Sequence, residues 1–488
     1  MIDYPRTPDF LGLNRPIGEE YSLTNLVVEG TIPPNIEGVF FRATPDPAFV
    51  PFADDDTLLS GDGMISALRI AGGTAGFDMR FVDTPRRRAE VAAGRALFGR
   101  YRNPYTDDPS VAGIDRTVAN TTPVWHAGTL LMTKEDGRAY RVNPHTLETV
   151  SVHDFCGKLK SQTMTAHPRI DPVTGELFFF GYQADGIATT KVAYCIADGS
   201  GNLLSEQWFD APYSAMIHDF AISENYVIFP VYPTIADLDR IKAGEPHWAH
   251  HMAIDSWMGV MPRYGDVSEI RWFKGPKGVF AYHLMGAFED KDGILHLDQC
   301  LAAANPFGFI QRAGGIDIPP GQLDGALTRW TVDPKAQSGD VREARIGPPG
   351  DFPIIPADRQ GRALDHAWML TMNPDMRGSP LMGGPVYAMF NMLMRLDMRG
   401  GPPQFLTVAP NQGFNEPVHV PSSDANHEGW LIAMVDTQLG PDAFEHHAWI
   451  INAGDVAAGA VATIAIPKRQ RPQVHGCWVS TAQLALAA

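Results

Sequence analysis

The sequence predicts an all-β fold, and three observations carry that reading. Short strand-like runs of apolar and β-branched residues recur along the chain, whereas long amphipathic helical patterns are scarce. Glycine and proline supply 47 and 40 of the 488 residues, so these runs are separated by heavy turn punctuation. One turn also repeats almost as a formula, in "RVNPHTLETV", "RIDPVTGELF" and "TVDPKAQSGDV". Each sets Asn or Asp before Pro, after a β-branched residue, and then resumes a strand. Pro fixes φ and cannot join a central ladder, while the Asn or Asp side chain caps the turn.

In chain order the strand runs are "GVFFRA", "ALRIAG", "TLLMTK", "ELFFFGY", "YVIFPVY", "GILHLDQ", "WLIAMVD", "HAWIINA" and "ATIAIP". The stretch Ser214 to Pro233 reads as two strands around a polar turn, with His218 on the first. "ADLDRIKAG" is the clearest short helix, stopped by Gly244. "SPLMGGPVYAMFNMLMRLDMRGG" is Met-rich and reads equally as helix or loop, with core filling as its plain role. No linker or low-complexity segment interrupts the pattern. Repeated hairpins of this kind suggest repeated four-stranded sheets. Seven of them would average about 70 residues each, suiting propeller blades with inserted loops. One propeller domain spanning 1–488 is the expectation, and a pair of β-sandwiches is the alternative.

Composition narrows the partners. There are 39 basic and 56 acidic residues, a formal charge of −17 spread without acidic blocks, which argues against nucleic acid and anionic membranes. No run of 18 apolar residues exists, so no transmembrane segment is expected. The N-terminus shows no basic region followed by an apolar one, so no secretory signal is read there. Four cysteines (Cys156, Cys195, Cys300 and Cys477) lack CxxC spacing and are too few for a disulfide framework. A cytoplasmic location is the simplest expectation. GxSxG, HExxH and Walker patterns are all missing, so acyl transfer, zinc proteolysis and phosphate chemistry find no support.

Among 16 histidines, "HWAHH" (His247, His250, His251) has i, i+3, i+4 spacing that suits zinc on a helix, but lacks the catalytic glutamate and sits among Pro and Gly. "FEHHAW" puts His446 and His447 on opposite faces of a strand, a poor chelate. His167, His218, His283 and His475 share another context, in or at the end of short strand-like runs with apolar or small neighbours. Separations of 51, 65 and 192 residues fit one ligand from each of several blades. Taken singly, each reads as a hydrogen-bonded core histidine before it reads as a ligand, and spacing alone does not reverse that order.

The words around these residues resemble the carotenoid cleavage oxygenase family. "GVFFRATPDP" is similar to its N-terminal Arg-x-x-Pro-x-Pro segment and "GDGM" to a family loop. "TAHPRIDPVTGEL", "MIHDFAISENYVIFP", "YHLMGAFED" and "VHGCWV" are similar to its four histidine motifs, in order. "FGRYRNPYTDDPSV" with Tyr101 and "LLMTKEDG" with Lys134 resemble the bacterial lignostilbene dioxygenase branch. The resemblance implies a seven-bladed β-propeller, with loops and short helices capping one axial Fe(II) on His167, His218, His283 and His475. Glu135, Asp351 and Glu416 are implied to orient the rings of His218, His283 and His475 respectively. Asp351 departs from the family, which usually has Glu there. Thr121 matches a threonine near an open iron position.

The implied reaction is cleavage of the central C=C bond of a 4-hydroxystilbene by O2, giving two aromatic aldehydes, as in the catabolism of lignin-derived aromatics. Lys134 and Tyr101 are the implied holders of the phenol as its anion. Leu59 stands where relatives carry an aromatic residue, and Phe307 and Phe309 are candidates for ring contacts. Family habit suggests a homodimer. Two rivals stand beside this reading: a carotenoid or apocarotenoid cleaver on the same iron site, and a propeller that binds without catalysis.

Overall fold

The computed structural model describes residues 4–307, 310–313, 325–373, 375, 390–424 and 426–487. They fall into two compact units.

The first unit comprises Met1–His153, Met372–Leu396 and Pro402–Ala488. A five-stranded sheet runs Tyr21–Leu23, Thr74–Phe81, Gly63–Ala71, Gly38–Pro45, Gly476–Ser480. Its outermost strand is the last in the chain, paired in the register Phe41 to Cys477, so the two ends of the sequence close one sheet. A four-stranded meander follows over Thr122–His126, Thr129–Thr133, Tyr140–Val142 and Thr149–Val152. A third sheet is built on Ala460–Ile466, Ala443–Asn452 and Trp430–Gly440. The strand Gly38–Pro45 shows how the core forms. Phe40 packs with Met64, Leu68, Phe77, Ile432, Met434 and Ile464. Val39, Phe41 and Ala43 pack with Leu130, Met132 and Tyr140 on the other face. Alternate side chains thus serve two neighbouring sheets, as a period of two requires of a strand buried on both faces.

The second unit comprises Asp154–Thr371 and Asp397–Gly401. Its three larger sheets start, on one edge, with Arg169–Ile170, Ala221–Ile222 and Leu284–Glu289. A small sheet pairs Thr234–Ala236 with Trp248–His250 and Gln311–Arg312.

All nine runs read as strands are strands. The repeated turns are capped as expected: Asn143 Oδ1 accepts from the amides of His145 and Thr146, Asp171 Oδ1 from Val173 and Thr174, and Asp333 Oδ1 from Lys335. Leu238–Lys242 is helical and Gly244 ends it at φ +84°. One expectation needs correction, and one pattern disfavoured above is resolved. The first strand read in Ser214 to Pro233 shrinks to Ala221–Ile222, leaving His218 ahead of it, because Asp219 takes the neighbouring backbone amides. "HWAHH" is no helix: Trp248–His250 is a strand. His250 bonds Thr234 Oγ1 at 2.9 Å and the Gly278 carbonyl at 2.8 Å, and His247 bonds Gln183 at 3.2 Å. Of the Met-rich stretch, Met392–Asp397 is a strand, while residues 376–389 lie outside the described residues.

Candidate active site

The four singled-out histidines share one local position. His167 comes two residues before Arg169–Ile170, His218 three before Ala221–Ile222, His283 one before Leu284–Glu289 and His475 one before Gly476–Ser480. Each ring therefore leaves its sheet just ahead of an edge strand's start.

Within the second unit three of these rings converge. His167 and His218 have ring centroids 4.6 Å apart, and each lies within 5.4 Å of the His283 ring. Their donor nitrogens all fall within 4.8 Å of one another. The Nε2 atoms of His167 and His218 are 3.0 Å apart. Imidazole nitrogens at about 2.1 Å from an ion, at right angles, would lie about 3.0 Å from each other, so this spacing fits two adjacent ligands of one metal.

Carboxylates hold the far side of two rings. Asp351 Oδ1 sits 2.8 Å from His283 Nδ1, so the expected Asp351 partner is reached directly despite the shorter side chain. The backbone compensates: the register slips between Asp351 and Ile354, and Phe352 adopts φ +53°. In the first unit Glu416 Oε1 lies 2.9 Å from His475 Nδ1 and its other oxygen accepts from the Gly476 amide at 3.1 Å. In both rings the contact occupies Nδ1 and turns Nε2 toward a ligand. Glu135 is buried, 3.7 Å from the Arg102 guanidinium.

The residues expected to hold a phenol also gather in the first unit. Lys134 follows the strand Thr129–Thr133 and is 3% exposed. Its Nζ donates to Asn120 Oδ1 at 2.9 Å and to the Leu59 carbonyl at 3.2 Å, and lies 5.2 Å from the centre of the Tyr101 ring. Thr121 Oγ1 donates to the same Asn120 oxygen at 3.1 Å. Burial lowers the Lys134 pKa from its ordinary value and raises that of Tyr101 far above its own. Leu59 therefore contributes a carbonyl that sequence reading did not anticipate. Asn120 was missed altogether, although it adjoins Thr121.

Phe307 packs on Tyr282 at 4.2 Å between centroids with the rings tilted by 33°, and Tyr282 in turn meets His218 at 4.9 Å. Phe352 lies 4.8 Å from the His283 ring. Tyr282 and Phe352 were not foreseen; each is one residue from a group that was, His283 and Asp351. Phe309 lies outside the described residues.

Antiparallel sheets with imidazoles gathered at their strand starts agree with the motif resemblance to the carotenoid cleavage oxygenase family. The chain belongs to that family: residues 14–480 match the family described as "Retinal pigment epithelial membrane protein". It is 37% identical to lignostilbene-alpha,beta-dioxygenase isozyme III of Sphingomonas paucimobilis, over 100% of both chains. It is also 37% identical to the isoeugenol monooxygenase of Pseudomonas nitroreducens, over 97% of this chain and 98% of that one. The crystal structure of Pseudomonas brassicacearum lignostilbene dioxygenase superposes with a TM-score of 0.93 at 36% identity, over 98% of this chain and 100% of that one. The fold is the seven-bladed β-propeller expected from the sequence.

Proposed function

We propose that the chain is an Fe(II)-dependent dioxygenase that cleaves the central double bond of 4-hydroxystilbenes of the lignostilbene type. One iron per chain would be held by His167, His218, His283 and His475, with Glu135, Asp351 and Glu416 orienting the rings of His218, His283 and His475. The donor set supports this. Neutral imidazoles suit a borderline divalent ion, and carboxylates on Nδ1 increase their basicity. The metal, when bound, supplies O2 activation. The balance is one alkene plus O2 to two aldehydes, each carbon of the broken bond gaining one oxygen atom.

The observation that carries the substrate class is the setting of Lys134. Its ammonium is buried, and among the described residues its hydrogen bonds go only to a carbonyl and an amide oxygen, with no carboxylate in ion-pair contact. A buried cation held by neutral groups favours an anionic ligand. A phenolate answers that need. Burial lowers the Lys134 pKa, which increases the share of neutral amine free to take up the phenol proton, and the transfer leaves an ammonium beside the phenolate. Tyr101 stays protonated and donates to the same oxygen. Charge on that oxygen is delivered through the ring to the double bond para to it, which makes the alkene reactive toward oxygen. Thr121 lies beside this group, and Leu59, Phe307 and Phe309 are assigned to the rings of the substrate.

The reading further takes residues 1–488 as one working domain, a homodimer as the assembly, and the cytoplasm as the compartment. Free thiols at Cys156, Cys195, Cys300 and Cys477 support the last of these. Among the described residues no helix is long and apolar enough to cross a membrane.

The test is aerobic turnover of a 4-hydroxystilbene and its 4-methoxy analogue by Fe(II)-loaded protein, with aldehyde formation followed optically. Cleavage of the phenol alone is expected. Equal cleavage of both would remove the Lys134–Tyr101 clamp from the mechanism. Cleavage of neither by iron-containing protein would transfer the activity to apocarotenoids.

A further inference from the structure

We infer that Asp219 is a positioning residue for the metal centre, a single carboxylate that ties together the three histidine-bearing strand starts of the second unit. The inference rests on the metal-site reading above.

Asp219 follows His218 and is 4% exposed. Its Oδ1 accepts from the Phe220 amide at 2.8 Å and from the guanidinium of Arg169, two residues beyond His167. Its Oδ2 accepts from the amide of Leu284 at 2.9 Å, the residue after His283. Arg169 Nε also donates to the Phe220 carbonyl at 2.9 Å, so one guanidinium grips both the side chain and the backbone of the His218 segment. All three histidines are thus within two residues of a group that Asp219 holds directly.

Strand pairing does not supply this tie. Arg169–Ile170, Ala221–Ile222 and Leu284–Glu289 belong to three different sheets, and each pairs only with the next strand of its own sheet. The spacing between rings therefore depends on side chains that cross from sheet to sheet. A buried carboxylate with a guanidinium and two amides is a strong choice for that, because charge-assisted bonds are shorter and stiffer than neutral ones. Metal sites lose affinity when ligands drift by about half an ångström.

The test uses full-length protein with Co(II) as a spectroscopic probe. Asp219→Asn keeps an acceptor for Arg169 but turns an NH2 group against the Leu284 amide, breaking one of the three ties. Asp298→Asn is the control. Asp298 is equally buried in the same unit and pairs with Arg329 through two 2.7 Å bonds inside one sheet, and neither bond reaches a residue beside a singled-out histidine. We expect D219N to weaken Co(II) binding about 10- to 100-fold, by chelator competition, and to alter its visible spectrum. D298N should lower the melting temperature of the metal-free protein and leave affinity and spectrum as in wild type. Arg169→Gln should weaken binding in the same direction, and serves if D219N does not fold. Unchanged affinity in D219N or R169Q, or an equal loss in D298N, overturns the positioning role alone. A wild-type protein that binds no Co(II) overturns the metal reading and the role together.

Discussion

Asp351 and Phe352 are adjacent, yet they solve one problem between them: the carboxylate of Asp351 reaches His283 Nδ1 at 2.8 Å while Phe352 turns to φ +53° and brings its ring to 4.8 Å from the same imidazole. A left-handed conformation at a non-glycine residue costs on the order of 1–3 kcal/mol. The slip in register beside it shows where the strand absorbs the shorter side chain. Asp351→Asn should therefore lower metal affinity about 10- to 100-fold. Asp351→Glu should not improve on wild type, because the backbone is already shaped for the shorter acid. Metal affinity of the two variants checks this, and tighter binding by D351E would show that the bulge is not fitted to Asp.

Asn120 is fully buried and each end of its amide is used: Nδ2 donates to the carbonyls of Leu59 and Gly61 at 2.9 and 2.8 Å, while Oδ1 receives Lys134 and Thr121. Asn120→Ala leaves the Gly61 carbonyl without that donor and removes one of the two hydrogen bonds of Lys134, leaving the one to the Leu59 carbonyl. The expected cost is about 2–4 kcal/mol of stability, from one or two unmet buried groups. With Lys134 held by one bond instead of two, kcat/KM for a 4-hydroxystilbene should fall about tenfold or more, given that one lost charge-assisted bond is worth about 1.5–3 kcal/mol. Denaturant unfolding and turnover of the phenol together check it; a stable variant with wild-type turnover would dismiss the hook.

Asp62, in the "GDGM" loop, is a buried acid with one oxygen on the Ala48 amide at 3.1 Å and Oδ1 without a partner among the described residues. Burial pushes its pKa from 3.8 up to about 6. The folded state therefore holds this proton more tightly than the unfolded one, and stability falls as pH rises through that window. The penalty is absent below about pH 4 and complete above about pH 6. Asp62→Asn removes it, so the variant should gain up to about 3 kcal/mol over wild type at pH 7.5 and almost nothing at pH 4. Denaturant titration of both proteins at the two pH values decides; an equal gain at both would assign the effect to something other than ionisation.

What was legible in the sequence followed local chemistry. Runs such as "ELFFFGY" and the capped Asn-Pro and Asp-Pro turns are strands and turns because backbone preference and a side chain two or three residues away decide them. The segment around His218 misled for the opposite reason: apolar residues suggested a longer strand, but the Asp219 carboxylate takes the Phe220 amide and also accepts from donors 50 and 65 residues away. The metal-ligand set was reached by resemblance, since single histidines in apolar runs look alike whether they bind metal or only pack. Asn120, Tyr282 and Phe352 each adjoin a residue that was singled out, but they also contact groups distant in sequence, and no local pattern encodes those contacts. The Leu59 carbonyl is hidden more completely, because any residue carries one.

That last point yields a prediction. Leu59 is 9% exposed and holds Lys134 and Asn120 through its backbone oxygen, a contact that is independent of side-chain identity. Leu59→Phe, which introduces the aromatic residue that the family resemblance implies at this position, should keep the Lys134 hook and add a ring for the stilbene to pack on. Aromatic pairing is worth about 0.5–1.5 kcal/mol beyond area burial, so KM for a 4-hydroxystilbene should fall about 2- to 12-fold. The preference for the phenol over its methyl ether should be unchanged, since that preference is assigned to Lys134 and Tyr101. Steady-state kinetics on both substrates separate the two effects. A loss of phenol preference in L59F would mean that the side chain, and not only the carbonyl, sets the position of the lysine.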